Sequence, residues 1–160
     1  MPIRKATAGD WPHIWPFWHR IVAAGETYAW DPDTSDEDAR ALWMNPAKRV
    51  YVAEDDTGAV VASAYLTPNY GGPAARIANA GFMVDPERAG RGTGRALAEY
   101  VLDAARAQGY RGMVFNAVVE TNPAVRLWTS LGFTILGTVP DAFDHPRHGR
   151  VGLHVMHRAL

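Results

Sequence analysis

The chain has 160 residues, 48% of them hydrophobic, and 16 Lys plus Arg against 17 Asp plus Glu for a formal net charge of −1. This specifies one globular domain, residues 1–160, and argues against a nucleic-acid module, which would carry a basic face. There is no cysteine, which excludes disulfides, thiolate metal sites and a cysteine nucleophile and points to a reducing, cytoplasmic setting. No run of about 18 apolar residues occurs. Residues 1–6 lack an apolar signal core, so the expectation is a soluble protein with no membrane partner.

Residues 3–6 read as a short strand, followed by a turn over 7–10 in which Asp10 is the expected N-cap. Residues 11–24 carry Ile14, Phe17 or Trp18, Ile21 and Val22 at helical spacing. Pro12 suits the first turn, whereas Pro16 predicts a kink or a shortened helix. Residues 25–34 form a loop of aromatics and acids, either a wall for a small substrate or a cap over the core. Ser35 or Thr34 caps a second helix that runs to about Met44, where Asn45-Pro46 ends it. A strand over 49–54, the turn Asp55-Asp-Thr-Gly58 and a return strand over 59–67 make a hairpin. A flexible loop over 68–73 leads to a strand over 76–84.

The helix over 92–108 keeps Leu97, Val101, Ala104 and Ala105 on one stripe and stops at Gly109. A strand over 112–119 follows. Asn122, as cap, and Pro123, as first residue, open a shorter helix ending at Leu131-Gly132. A strand over 133–139, a polar loop over 140–149 and a strand over 151–158 complete the chain. The order β-α-α-β-β-β-α-β-α-β-β predicts an α/β fold on one mixed sheet.

Between the strand at 76–84 and its helix lies Glu87-Arg-Ala-Gly90-Arg-Gly92-Thr-Gly94-Arg95. A strand that ends in glycines and enters a helix presents successive backbone N–H groups, backed by the positive end of the helix dipole, to a phosphate. The string G-x-x-x-x-G-K-[S/T] of nucleotide triphosphate loops is absent. The G-x-G-x-G spacing, more than halfway along the chain, is not the dinucleotide fingerprint. Arg88, Arg91 and Arg95 surround the loop and suit a polyphosphate ligand.

Ala89-Gly90-Arg91-Gly92-Thr93-Gly94 resembles the acyl-CoA loop [Q/R]-x-x-G-x-[G/A] of the GNAT superfamily of N-acetyltransferases, with Ala89 in place of the usual Gln or Arg and Arg88 adjacent to it. Asn122-Pro-Ala124-Val-Arg-Leu-Trp128-Thr-Ser-Leu-Gly132-Phe133 is similar to that family's N-x-x-A-x-x-[L/F]-Y-x-x-x-G-F. The element order matches the GNAT acyl-CoA N-acyltransferase fold over nearly the whole chain. The resemblance implies acetyl-CoA as cosubstrate and no metal. It implies a small-molecule amine as the second substrate, and a homodimer formed through the last strands.

By the same resemblance, the backbone of Phe82, Met83 and Val84 pairs with the pantetheine arm. The amides of Ala89, Gly90, Arg91, Gly92, Thr93 and Gly94, with Arg95, hold the diphosphate. Asn122 bonds the arm or caps its helix. Trp128 stands where the family has a Tyr that protonates the departing thiolate. An indole N–H can donate a hydrogen bond but cannot supply a proton near neutral pH, so Trp128 packs against the arm or donates one bond.

Asn79 and Asn116 lie inside apolar strands, where a buried amide costs free energy unless it is bonded. They are expected beside the thioester, as catalytic and substrate-positioning groups, with Tyr28 of the aromatic loop against the substrate. Ala-Asn79-Ala-Gly, Phe-Asn116-Ala-Val-Val-Glu-Thr-Asn122 and Val-Pro140-Asp-Ala-Phe143-Asp-His-Pro146 resemble the group that acetylates proline analogues such as azetidine-2-carboxylate. Glu26 and Glu120 are the candidate bases, and a water chain is the alternative. No histidine pair has metal-ligand spacing. The alternatives are a phosphinothricin-type amino-acid acetyltransferase and a non-catalytic acyl-CoA-binding domain.

Overall fold

The computed structural model describes residues 1–160. Its elements are β1 (Ile3–Lys5), α1 (Trp11–Ala24), α2 (Asp36–Trp43), β2 (Arg49–Glu54), β3 (Val60–Pro68), β4 (Ile77–Val84), α3 (Thr93–Ala107), β5 (Gly112–Val119), α4 (Ala124–Ser130), β6 (Thr134–His145) and β7 (Gly149–Ala159). Seven strands form one sheet in the order β1-β2-β3-β4-β5-β7-β6. Every neighbouring pair is antiparallel except β4 and β5, which are parallel. The mixed α/β sheet is the expected class.

Helices cover both faces, and each face has its own core. On one, α1 and α2 bury Trp11, Ile14, Phe17, Trp18, Ala39 and Trp43 against Val50, Val52 and Met83. On the other, α3 buries Leu97, Ala98, Val101, Leu102 and Ala105 with Trp128 of α4 against Ala64, Leu66, Ala78 and Phe115. The 3.6-residue period of the helices selects these stripes.

Four expectations are corrected. Pro16 does not shorten α1, which runs unbroken from Trp11 to Ala24 and stops at Gly25 in the left-handed region (φ 66°). Pro16 is exposed, so the bond it cannot make falls on the solvent side. Asp10 does not cap α1, because its own backbone is helical (φ −80°, ψ −21°). Its carboxylate accepts instead from Thr7 N at 2.7 Å and from Arg4 at 2.8 and 2.9 Å. Pro123 precedes rather than opens α4, and the Asn122 side chain accepts from Ala124 N at 2.9 Å.

The fourth correction concerns residues 140–149. They are not a loop: β6 continues to His145 and β7 begins at Gly149. Pairing with β7 is interrupted between Val139 and Phe143, with Asp141 at φ 51°, and then resumes at Phe143↔Val151. A bulge of this kind lets a strand pass a proline without losing its partner further on.

Candidate active site

β4 and β5 pair at only two positions, Ile77↔Gly112 and Ala78↔Met113, and diverge beyond them. The β3–β4 ladder fixes which main-chain groups face the divergence. Asn69 N donates to Ile77 O and Asp85 N donates to Val61 O. Odd-numbered residues of β4 therefore turn N–H and C=O toward β3, and Ala78, Ala80, Phe82 and Val84 turn theirs toward β5. Of the three residues expected to offer backbone to a ligand, Phe82 and Val84 turn theirs toward the divergence. Met83 is the correction: it is paired with Ser63, and its side chain is buried in the α1–α2 core.

Side chains take up the main chain where the strands part. Asn79 Nδ2 donates to Val114 O of β5 at 3.0 Å, and Asn79 Oδ1 accepts from the Tyr65 hydroxyl at 3.1 Å. The Tyr65 ring lies flat across Gly81, where a Cβ would fall 2.2 Å from Cε2. The Tyr28 hydroxyl donates to Phe82 O at 2.7 Å and accepts from Phe82 N–H at 3.0 Å. Burial, reinforced by Tyr65, pushes the Tyr28 phenol well above its ordinary range, so it stays neutral. Asn116 occupies an irregularity of β5 between Phe115 and Val118, where it is exposed. It exchanges two amide hydrogen bonds with Asn69, at 2.7 and 3.1 Å.

The α3–α4 side of the opening is aromatic. Trp128 is 7% exposed, 4.9 Å from the Phe82 ring and 4.7 Å from the Phe115 ring, which in turn stacks on Phe133. The indole is thus a packed wall.

The glycine loop follows β4 directly. Gly90 (φ 83°) and Gly92 (φ 77°) are both left-handed, with no atom within 4 Å of either Cβ position. Glycine is required there by conformation and not by crowding. At Gly94 a Cβ would make only ordinary contacts of 3.7 Å, to Val84 and Leu127. No side chain caps the N-terminus of α3, so its first amides point into the loop. Arg91 makes no ion pair or side-chain hydrogen bond, and Arg95 donates to Ser130 Oγ at 2.6 Å. Arg88 is not a free cation for the loop, because it is paired with Asp55 of the β2–β3 turn. Uncapped amides, left-handed glycines and the Arg91 and Arg95 cations are a donor set that fits a diphosphate.

Residues 15–133 match the family model described as acetyltransferase (GNAT) family. The chain belongs to the GNAT family. A GCN5-related N-acetyltransferase from Kribbella flavida is 55% identical over 99% of this chain and 97% of its own, with a TM-score of 0.95. A phosphinothricin acetyltransferase from Sinorhizobium meliloti, solved with acetyl-CoA, is 25% identical over 99% and 88% of the two chains, with a TM-score of 0.86. The N-acetyltransferase aca1 of Schizosaccharomyces pombe is 43% identical over 79 residues, 49% of this chain and 38% of that protein. This GNAT chain therefore aligns with well under half the length of that curated relative.

In this GNAT domain neither candidate base is free. Glu26 is paired with Arg147 at 2.6 Å, which ties the aromatic loop to the β6–β7 turn. Glu120 Oε1 accepts from Gly152 N at 2.6 Å. Two histidines also serve the structure: His145 Nδ1 accepts from the N–H groups of Arg147 and His148, and His154 Nδ1 bonds Thr138 Oγ1. Sequence reasoning missed Asn69 and Tyr65. Asn69 sits in a Pro-Asn-Tyr-Gly-Gly run that reads only as a turn, and its partner is 47 residues away. Tyr65 had one usable signal, a glycine inside β4, which marks close approach across a sheet.

Proposed function

We propose that the protein moves the acetyl group of acetyl-CoA to the amine of a small molecule. The observation that carries this reading is the parting of β4 from β5. It leaves Phe82 and Val84 main chain facing an opening that leads straight into the uncapped N-terminus of α3. An extended arm adds to β4 as a strand would, while the loop amides of residues 89–94 and the Arg91 and Arg95 cations hold the diphosphate. Asn122 borders the arm while capping α4. Trp128 packs on the arm rather than protonating the thiol, which leaves as an anion stabilised by donors.

The amine attacks the thioester directly, because a chain without cysteine offers no thiol for an acyl-enzyme. Asn79 and Asn116, on the two strands that part, position the second substrate. Each amide keeps bonding capacity beyond the contacts described above. Such a pair suits the carboxylate of an amino acid, and the sequence resemblance favours a proline analogue. A linear amino acid of the phosphinothricin type is the second reading, supported by the likeness to the Sinorhizobium meliloti enzyme. The working form is a cytoplasmic homodimer joined along β6, an edge strand that exposes Ile135, Leu136 and Val139.

Calorimetry with acetyl-CoA, then thiol release with azetidine-2-carboxylate, other proline analogues and phosphinothricin, tests the reading. Binding with turnover on a cyclic amino acid is expected. Tight binding with no turnover on any amine would favour an acyl-CoA-binding domain. Asn79→Ala and Asn116→Ala should each lower kcat by roughly ten-fold or more and change acetyl-CoA affinity far less. Unchanged kcat in both would remove the asparagines from the site.

A further inference from the structure

Tyr28 comes from the loop between α1 and α2, yet its hydroxyl is committed to a single residue of β4, 54 positions away. It meets both main-chain groups of Phe82, donating at 2.7 Å and accepting at 3.0 Å. These are the groups that an added strand or an extended ligand takes when it pairs with β4. The ring is held at this spot by stacking on Trp30 at 4.9 Å and by an edge contact with Trp43 at 6.4 Å. Trp43 is itself anchored by its Nε1–H donating to Ser63 Oγ at 2.9 Å. Asn79 does the matching work on the other side, with Nδ2 on Val114 O of β5. Two side chains thus use up main-chain groups through which β4 and β5 would otherwise zip together. A buried peptide group left without a partner is costly, and Tyr28 removes that cost at Phe82.

We propose that the Tyr28 hydroxyl is a placeholder for the acetyl-CoA arm: it satisfies Phe82 N–H and C=O until the arm takes them. The proposal rests on the acetyl-CoA reading above. The arm and the phenol compete for one residue, so the hydroxyl tempers affinity for the arm while keeping the strands apart. It also fixes where along β4 the arm engages, since Val84 carries no such competitor among the side-chain hydrogen bonds and Phe82 does. Tyr28 is a positioning residue in this scheme and not a proton donor.

Tyr28→Phe keeps the ring and its stacking and removes only the hydroxyl. The variant should melt below wild type without ligand and bind acetyl-CoA about five-fold more tightly, because only the ligand-free protein loses a bond. Its affinity for the phospho-ADP half of the coenzyme, which reaches only the glycine loop, should be unchanged. Equal or weaker acetyl-CoA binding by the folded variant overturns the placeholder and leaves the acetyl-CoA reading standing. Failure of wild type to bind acetyl-CoA sinks that reading, and the placeholder with it. If Tyr28→Phe does not fold, wild type labelled with carbon-13 at tyrosine Cζ decides. The Tyr28 resonance should move with saturating acetyl-CoA and stay in place with phospho-ADP. A resonance unmoved by acetyl-CoA overturns the proposal.

Discussion

Gly81 is required by geometry: a methyl group there would meet Tyr65 Cε2 at 2.2 Å, Cζ at 2.8 Å and Cδ2 at 2.9 Å. The ring cannot tip away freely. Trp43 packs edge-on at 5.0 Å, and Lys48 Nζ lies 4.0 Å from the ring centroid on a side chain whose ammonium pKa is lowered by burial. Gly81→Ala should therefore destabilise the fold by about 1–3 kcal/mol in thermal unfolding. It should also lower turnover, because a displaced Tyr65 lets go of Asn79. Gly90→Ala is the contrasting case. With open space around it, only the positive φ matters, and the cost should be about 1 kcal/mol. The glycine run was legible in the sequence because phosphate chemistry needs local backbone. Tyr28, Tyr65 and Asn69 were not legible as a set, because they meet through contacts 14 to 54 residues apart.

Among the elements, β1 is fastened to the start of α1 by Arg4, which bridges Asp10 and Glu54. The Arg4 hydrogen bonds are the main reason that the Asp10 carboxyl is held down to about 2, against the opposing effect of burial. A depressed carboxyl pKa adds stability at pH values above that of the unfolded chain, and the gain is lost as pH falls through the folded value. Asp10→Asn should cost roughly 1–2 kcal/mol at neutral pH, discounted for the partly exposed Arg4. The cost should shrink from about pH 4 downward and be lost below about pH 2 in denaturant titrations. A constant cost across that range would assign the loss to packing rather than to the carboxylate charge. Helices and central strands were readable because burial imposes a period on them. The end of β6 was not: residues 140–142 are exposed, so no alternation marks them, and Pro140 imitates a loop.

At the scale of the molecule, the parallel seam between β4 and β5 divides the sheet, and the far side ends in β6. Ile135, Leu136 and Val139 are 46%, 63% and 55% exposed there, a long apolar edge of the kind that pairs with another chain. Sedimentation velocity should report a dimer, and Leu136→Lys should shift it to monomer without lowering the melting point of the monomer fold. A monomeric wild type would reject that surface as the contact. The element order and the single mixed sheet were legible from pattern alone; the division of the helices between two faces was not, and neither was the partner on β6, since one chain shows only that an edge is exposed.

The distribution of the six tryptophans has an optical consequence. Trp11, Trp15, Trp18, Trp30 and Trp43 belong to the α1–α2 face, whereas Trp128 alone belongs to the other. Emission from the first group is pooled among neighbouring rings, while Trp128 reports from the wall of the opening. The difference spectrum between wild type and Trp128→Phe is therefore a built-in fluorimeter for whatever enters between the strands.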